Sequence, residues 1–184
     1  MPTPIGHALM GATVTAAFPL NRDERFAWRS YLLGGFLGAA PDLDCLLGYL
    51  PFAPFAGRDW HHDFAHSLGF AFLCGAIVAL LHGYRSGVRW RTVFILSVAM
   101  ASHPILDCMF TDSAGVELFW PFLHTQWRLQ LPAPVYLPVH DSLWPRLLGV
   151  VLIGIQEAAI YGSLFGFVWL ARRFGWRRAE QAEG

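Results

Sequence analysis

Six ionisable residues lie inside otherwise apolar stretches of this chain: His7, Asp42, Asp44, His66, His103 and Asp107. His61 and His62 stand just outside one of those stretches. An ionisable side chain at the centre of a membrane helix costs at least ~2.5–3.5 kcal/mol on insertion scales, so a set of them requires a reason. Imidazole and carboxylate are the ligands that zinc shares with manganese, iron and nickel. A single histidine of this kind reads as a hydrogen-bonded interior residue. Spread over four segments, the set reads as a metal site. His103 and Asp107 are four apart and share a helix face, which suits two ligands of one ion or a ligand and its orienting partner. Asp42 and Asp44 are two apart and can face one centre only if the helix breaks near Pro41. His61 and His66 can converge if His61 lies in the turn before a helix capped by Asp63, while His62 and His66, four apart, compete for the same role. Seven candidates (His7, Asp42, Asp44, His61, His66, His103 and Asp107) exceed one tetrahedral ion, and two bridged divalent ions, zinc foremost, accommodate them better.

Other polar residues carry less. His82 falls at the far end of its segment, and Glu157 sits in mid-segment, where a buried hydrogen bond inside a bundle is the default. His124, His140 and Asp141 lie in a loop and could border a site. Ser67 has no Ser-His-Asp pattern around it and suits a helix cap. Cys45, Cys74 and Cys108 have no CxxC spacing and read as small core residues, not as a disulfide framework or thiolate site.

Five apolar segments must position these groups: about 4–20, 31–50, 64–84, 92–110 and 147–171. Thr3 and Pro4 suit the cap and first turn of the first segment, and Pro104 loosens the backbone ladder of the fourth beside His103. A spanning helix needs ~20 mostly apolar residues, which the third and fifth segments supply. Only 14% of residues are charged, against about 25% in soluble domains. All 13 basic residues are Arg, and the net charge is zero, which removes any global field for nucleic acid. The start of the chain has no basic region of the kind that opens a signal peptide.

Arginines set the orientation. Arg22, Arg25 and Arg29, then Arg85, Arg89 and Arg91, then Arg172, Arg173, Arg177 and Arg178 fall on alternate loops, which are therefore cytoplasmic. Every candidate ligand then falls toward the outer side. Trp60, Trp120 and Trp144 belong to an outer aromatic belt, Trp90 and Trp176 to an inner one. The expected fold is all-α: one membrane-embedded, polytopic helical bundle over residues 1–184. It has about five apolar helices, an outer loop or lid at 111–146, a last membrane helix at 147–171 and a cytoplasmic Arg-rich tail at 172–184.

Four motifs occur in order: Pro-Ile-Gly-His7-Ala-Leu-Met-Gly, Ala-Pro-Asp42-Leu-Asp44, His61-His62-Asp-Phe-Ala-His66-Ser-Leu and His103-Pro-Ile-Leu-Asp107. A Gly115 to Trp120-Pro-Phe segment follows. This arrangement resembles the bacterial inner-membrane metal-dependent hydrolases, a family tied to LexA regulation in some members, over residues 1–125. The family's second motif carries Arg and Thr where this chain has His62 and Ala65, so the resemblance transfers the ligand role to His61 and leaves His62 ambiguous. The His-x-x-x-Asp element is also similar to that of zinc-dependent phospholipases C. The resemblance implies an inner-membrane enzyme that hydrolyses an ester or phosphoester of a membrane lipid or related amphiphile by metal-activated water. Its ligands would be His7, Asp42, His61, His66, His103 and Asp107. Asp44 would be a bridging ligand or general base, with His61 and His66 also at the catalytic centre. The alternative is a non-catalytic metal protein in which the ion is structural, sensed or transported.

Overall fold

A computed structural model of the chain describes residues 2–20, 27–49, 64–83, 89–110, 115–131 and 143–183. The described elements are helical: α1 (Pro4–Ala17), α2 (Ala27–Ala39) continued by a 3-10 segment (Ala40–Tyr49), a 3-10 turn (Phe64–His66), α3 (Leu68–Gly83), α4 (Trp90–Phe110) and α5 (Leu143–Glu183). Among the described residues, two helices are long and apolar enough to cross a membrane, Trp90–Phe110 and Leu148–Gly175, and Leu68–His82 is a shorter apolar helix. The apolar core joins Leu37 of α2, Ala71 and Ala79 of α3, and Leu96, Met100 and Ala101 of α4. Large apolar side chains such as Leu81, Phe94, Ile155 and Phe167 face outward, as they do on helices whose solvent is lipid.

Local sequence explains where these helices begin and end. Pro4 occupies the first turn of α1, where its missing N–H is not needed. The α-helical run of the second segment stops at Ala39. Pro41 cannot donate to the preceding turn, and the chain tightens into a 3-10 segment that carries Asp42 and Asp44. α3 begins at Leu68, four residues later than the apolar run suggests, because Ser67 is its cap. Ser67 Oγ accepts the Phe70 N–H at 3.1 Å and donates to the Phe64 carbonyl at 2.8 Å. Asp63, the cap expected from the sequence, lies outside the described residues. α4 runs through Pro104 without a break. α5 continues well past the apolar run to Glu183, since Arg, Ala, Glu and Gln of the tail are good helix formers.

Close backbone approach holds α1 against α2. A Cβ on Gly11 would lie 2.2 Å from the Gly34 carbonyl oxygen, and one on Gly38 2.3 Å from that of His7. Only hydrogen fits at either contact, which is how small residues let membrane helices meet. α5 lies along α1 in parallel. The Thr3 N–H donates to Glu157 (2.8 and 3.0 Å to its two carboxylate oxygens), as does the Thr3 hydroxyl. A Cβ on Gly6 would meet the Tyr161 ring, and Arg172 reaches the Ala16 carbonyl. Glu157 therefore satisfies the opening of α1, a buried carboxylate at a helix N-terminus.

The described part of the expected lid, residues 115–131, is tied to the start of α3 and the end of α4. Val116 and Trp127 form an isolated antiparallel bridge. Leu68 N–H donates to the Leu118 carbonyl (2.9 Å), and the Leu129 and Leu131 N–H groups donate to the carbonyls of Cys108 (2.7 Å) and Met109 (2.8 Å).

Candidate metal centre

His7 of α1, Asp42 of the 3-10 segment, His66 of the 3-10 turn, and His103 and Asp107 of α4 meet in one buried cluster. Four of the five, all but Asp42, are fully buried, and the Asp42 side chain is 16% exposed. The Nε2 atoms of His66 and His103 are 3.0 Å apart. Asp107 Oδ2 lies 3.2 Å from His103 Nε2 and 3.4 Å from His66 Nε2. Asp42 Oδ1 lies 3.4 Å from His103 Nε2 and 3.9 Å from His66 Nε2. His7 stacks on His103 with ring centroids 3.7 Å apart and puts its Nε2 3.3 Å from Asp107 Oδ1.

The other ring nitrogens show what the inward-facing ones must be. His103 Nδ1 is 2.7 Å from the Gly38 carbonyl, which can only accept, so the proton is on Nδ1 and Nε2 carries a lone pair. His66 Nδ1 is 3.1 Å from Asp44 Oδ2, the position from which a carboxylate takes the ring proton and orients a ligating imidazole. Two Nε2 lone pairs would then face each other at 3.0 Å, an arrangement that repels unless a cation or an extra proton lies between or beside them. Both nitrogens of His7, Oδ2 of Asp42 and both carboxylate oxygens of Asp107 are buried without a hydrogen-bond partner among the described residues. Buried polar atoms are ordinarily partnered, and these belong to residue groups that could hold a metal ion.

Two triads can hold an ion, His7–His103–Asp107 and Asp42–His66–His103, each with donor atoms within 4.8 Å of one another. They share His103, whose one available lone pair serves one ion. Two nitrogens on a tetrahedral zinc with bonds of about 2.0–2.1 Å sit roughly 3.3 Å apart, close to the spacing found here.

Six of the seven sequence-derived ligands thus come together, counting Asp44 behind His66. His61 and the competing His62 lie outside the described residues, as do His140 and Asp141. His124 pairs with Glu117 at 3.1 Å on the exposed surface, and His82 is exposed at the end of α3. The sequence reading missed Gly38, which both supplies the carbonyl that fixes His103 and admits α1 beside it. The spacing Gly34-x-x-x-Gly38 was the available signal. The parallel register of α1 and α5 also sets the depth of the cluster. His7 follows Gly6, which faces Tyr161, and Tyr161 is 13 residues from Leu148 and 14 from Gly175, the ends of the apolar stretch of α5.

An all-helical chain with apolar outward faces and a polar centre enclosed between helices defines a membrane-protein class, and sequence comparison agrees. The chain belongs to the YdjM inner membrane protein family, whose model matches residues 1–181. It is similar to the inner membrane protein YbcI of Escherichia coli (strain K12), at 27% identity over 173 residues, which covers 84% of this chain and 96% of that protein. No solved structure matches the chain.

Proposed function

We propose that this chain is a multi-pass inner-membrane hydrolase that holds a divalent cation, zinc foremost, and cleaves an ester or phosphoester of a lipid or related amphiphile. The single observation that carries the reading is the convergence of buried imidazole and carboxylate groups from four separate elements on one small volume. His66 and His103 would hold the ion through Nε2, with Asp42 and Asp107 supplying carboxylate oxygen and His7 completing the set. Such a cation supplies Lewis-acid polarisation of the scissile group and makes water a nucleophile near neutral pH. Asp42 is the member of the cluster with solvent access, so substrate and water approach along its edge, and its unpartnered Oδ2 can accept a proton from the attacking water. We assign Asp44 to orienting His66 through Nδ1 in place of a bridging or basic role. His61, outside the described residues, keeps its sequence-based role as a metal ligand at the catalytic centre. One ion is the economical occupancy, given the shared His103.

The Arg-rich loops support a cytoplasmic side opposite the cluster. Labelling of single cysteines introduced at positions 57 and 87 tests this, since opposite accessibility is expected and labelling from the same side would remove the orientation.

A second reading is a non-catalytic metal staple joining four elements. The full burial of His7, His66, His103 and Asp107 favours it. Elemental analysis of the protein purified in mild detergent, compared with His66→Ala and His103→Ala, decides the first step. Metal in the wild type and its loss in both variants are expected, and metal-free wild type would end the hydrolase reading. Turnover of a panel of lipid phosphoesters decides the second step, because bound metal without any turnover leaves the staple.

A further inference from the structure

We propose that the opposite end of the bundle carries a separate binding site for the phosphate headgroup of an anionic lipid. A cavity of about 240 Å³ opens there between α2 and α5, lined by Ala27, Trp28, Tyr31, Trp169, Arg172 and Arg173. Among the described residues, two guanidinium groups and no carboxylate line it. Arg172 is fixed from behind, with Nη1 donating to the Ala16 carbonyl and the Tyr31 hydroxyl, both at 3.4 Å. Its Nη2 is buried and has no hydrogen-bond partner among the described residues. A guanidinium presents five donors in a planar fork, and one anchored through Nη1 with Nη2 unspent is set to meet an anionic oxygen. The Arg173 guanidinium stands over the Trp169 ring at 5.2 Å, which holds the second charge at the same mouth.

The surroundings identify the carrier of that anion as lipid. Trp28 and Trp169 are amphipathic rings of the kind found at headgroup level. Arg172 lies three residues before Gly175, the end of the apolar stretch of α5, so the cavity falls where hydrocarbon gives way to water. It is also on the Arg-rich side, where basic pockets between membrane helices take anionic headgroups. Ala16 and His7 are nine residues apart on α1, roughly 13 Å along the helix, so this site does not rest on the metal reading.

Native mass spectrometry of the full chain in detergent, titrated with phosphatidylglycerol or phosphatidylcholine, tests the proposal. Phosphatidylglycerol should bind about tenfold more tightly. Arg172→Gln should abolish that preference, while Arg91→Gln, an exposed arginine on α4 at the same end, should leave it unchanged. If Arg172→Gln fails to fold, Arg173→Gln carries the test with the same expected loss. Equal binding of the two lipids, or equal losses in Arg91→Gln and Arg172→Gln, would overturn the proposal. Displacement of phosphatidylglycerol by an equal concentration of inorganic phosphate would assign the site to a free anion and overturn the lipid.

Discussion

Replacing Gly38 with alanine should cripple metal binding without touching a ligand. Its Cβ would sit 2.3 Å from the His7 carbonyl oxygen, where ordinary contact begins at 3.4 Å. The helices must therefore part by about 1.1 Å along that line (3.4 minus 2.3). The same movement carries the Gly38 carbonyl away from His103 Nδ1, stretching a 2.7 Å bond to as much as about 3.8 Å, which is no longer a hydrogen bond. An unsatisfied buried N–H costs ~1–3 kcal/mol, and forced separation in a packed contact another ~1–3 kcal/mol. Losing the partner that fixes the imidazole tautomer weakens a metal site by ~10–100-fold. Competition titration against a chelating dye in detergent measures that loss. Gly75→Ala is the control, since its Cβ would lie 2.5 Å from Ser97 backbone atoms and would part α3 from α4 away from the cluster. It should lower stability comparably and leave affinity near the wild-type value. Affinity of Gly38→Ala within roughly a factor of two of wild type, or an equal loss in Gly75→Ala, would refute the coupling of helix contact to ligation.

Asp44→Asn should weaken metal binding by ~10–100-fold without abolishing it, whereas Asp107→Asn should remove it; equal losses in the same titration would make Asp44 a direct ligand. Glu157→Gln leaves the Thr3 amide and hydroxyl against a neutral acceptor and should cost about 1–2 kcal/mol of stability, seen as a lower unfolding midpoint with metal content retained. Chelation should lower the midpoint as well, because an ion present at 1,000 times its Kd stabilises by about 4 kcal/mol; an unchanged midpoint after verified metal removal would mean that the cluster is stable without a cation.

Much of the centre was legible because its chemistry is local. His103 and Asp107 share a helix face by spacing alone, and Pro41 announces the break that turns Asp42 and Asp44 onto two sides of one imidazole. What escaped was set by contacts between segments far apart in the chain. Nothing near Glu157 says that its carboxylate receives Thr3, 154 residues away. The cavity around Arg172 draws Trp28 and Tyr31 from one helix and Trp169 from another, a grouping that the arginine spacing alone does not show. The helix boundaries differed for a similar reason: the Ser67 side chain, with partners on both sides of it, outranks hydrophobicity at the start of α3.

The position of the cluster would give a bound cation a structural reason as well as a chemical one. Thr3 meets Glu157, Gly6 faces Tyr161 and Ala16 meets Arg172, a nearly constant offset that fixes α1 beside the middle of α5. The histidines and aspartates consequently lie level with the middle of the Leu148–Gly175 stretch and, Asp42 apart, are buried, where an uncompensated charge is costly. Two carboxylates, Asp42 and Asp107, carry two negative charges there. One divalent ion would offset both, and neutral imidazoles would complete its coordination without adding charge. Without the ion, protonated imidazoles must do the same work, and with Nδ1 of His103 already donating to Gly38 the added proton goes to Nε2. A filled centre would thus offset the charges of the two carboxylates that face it, while Asp44 keeps its partner in the His66 ring.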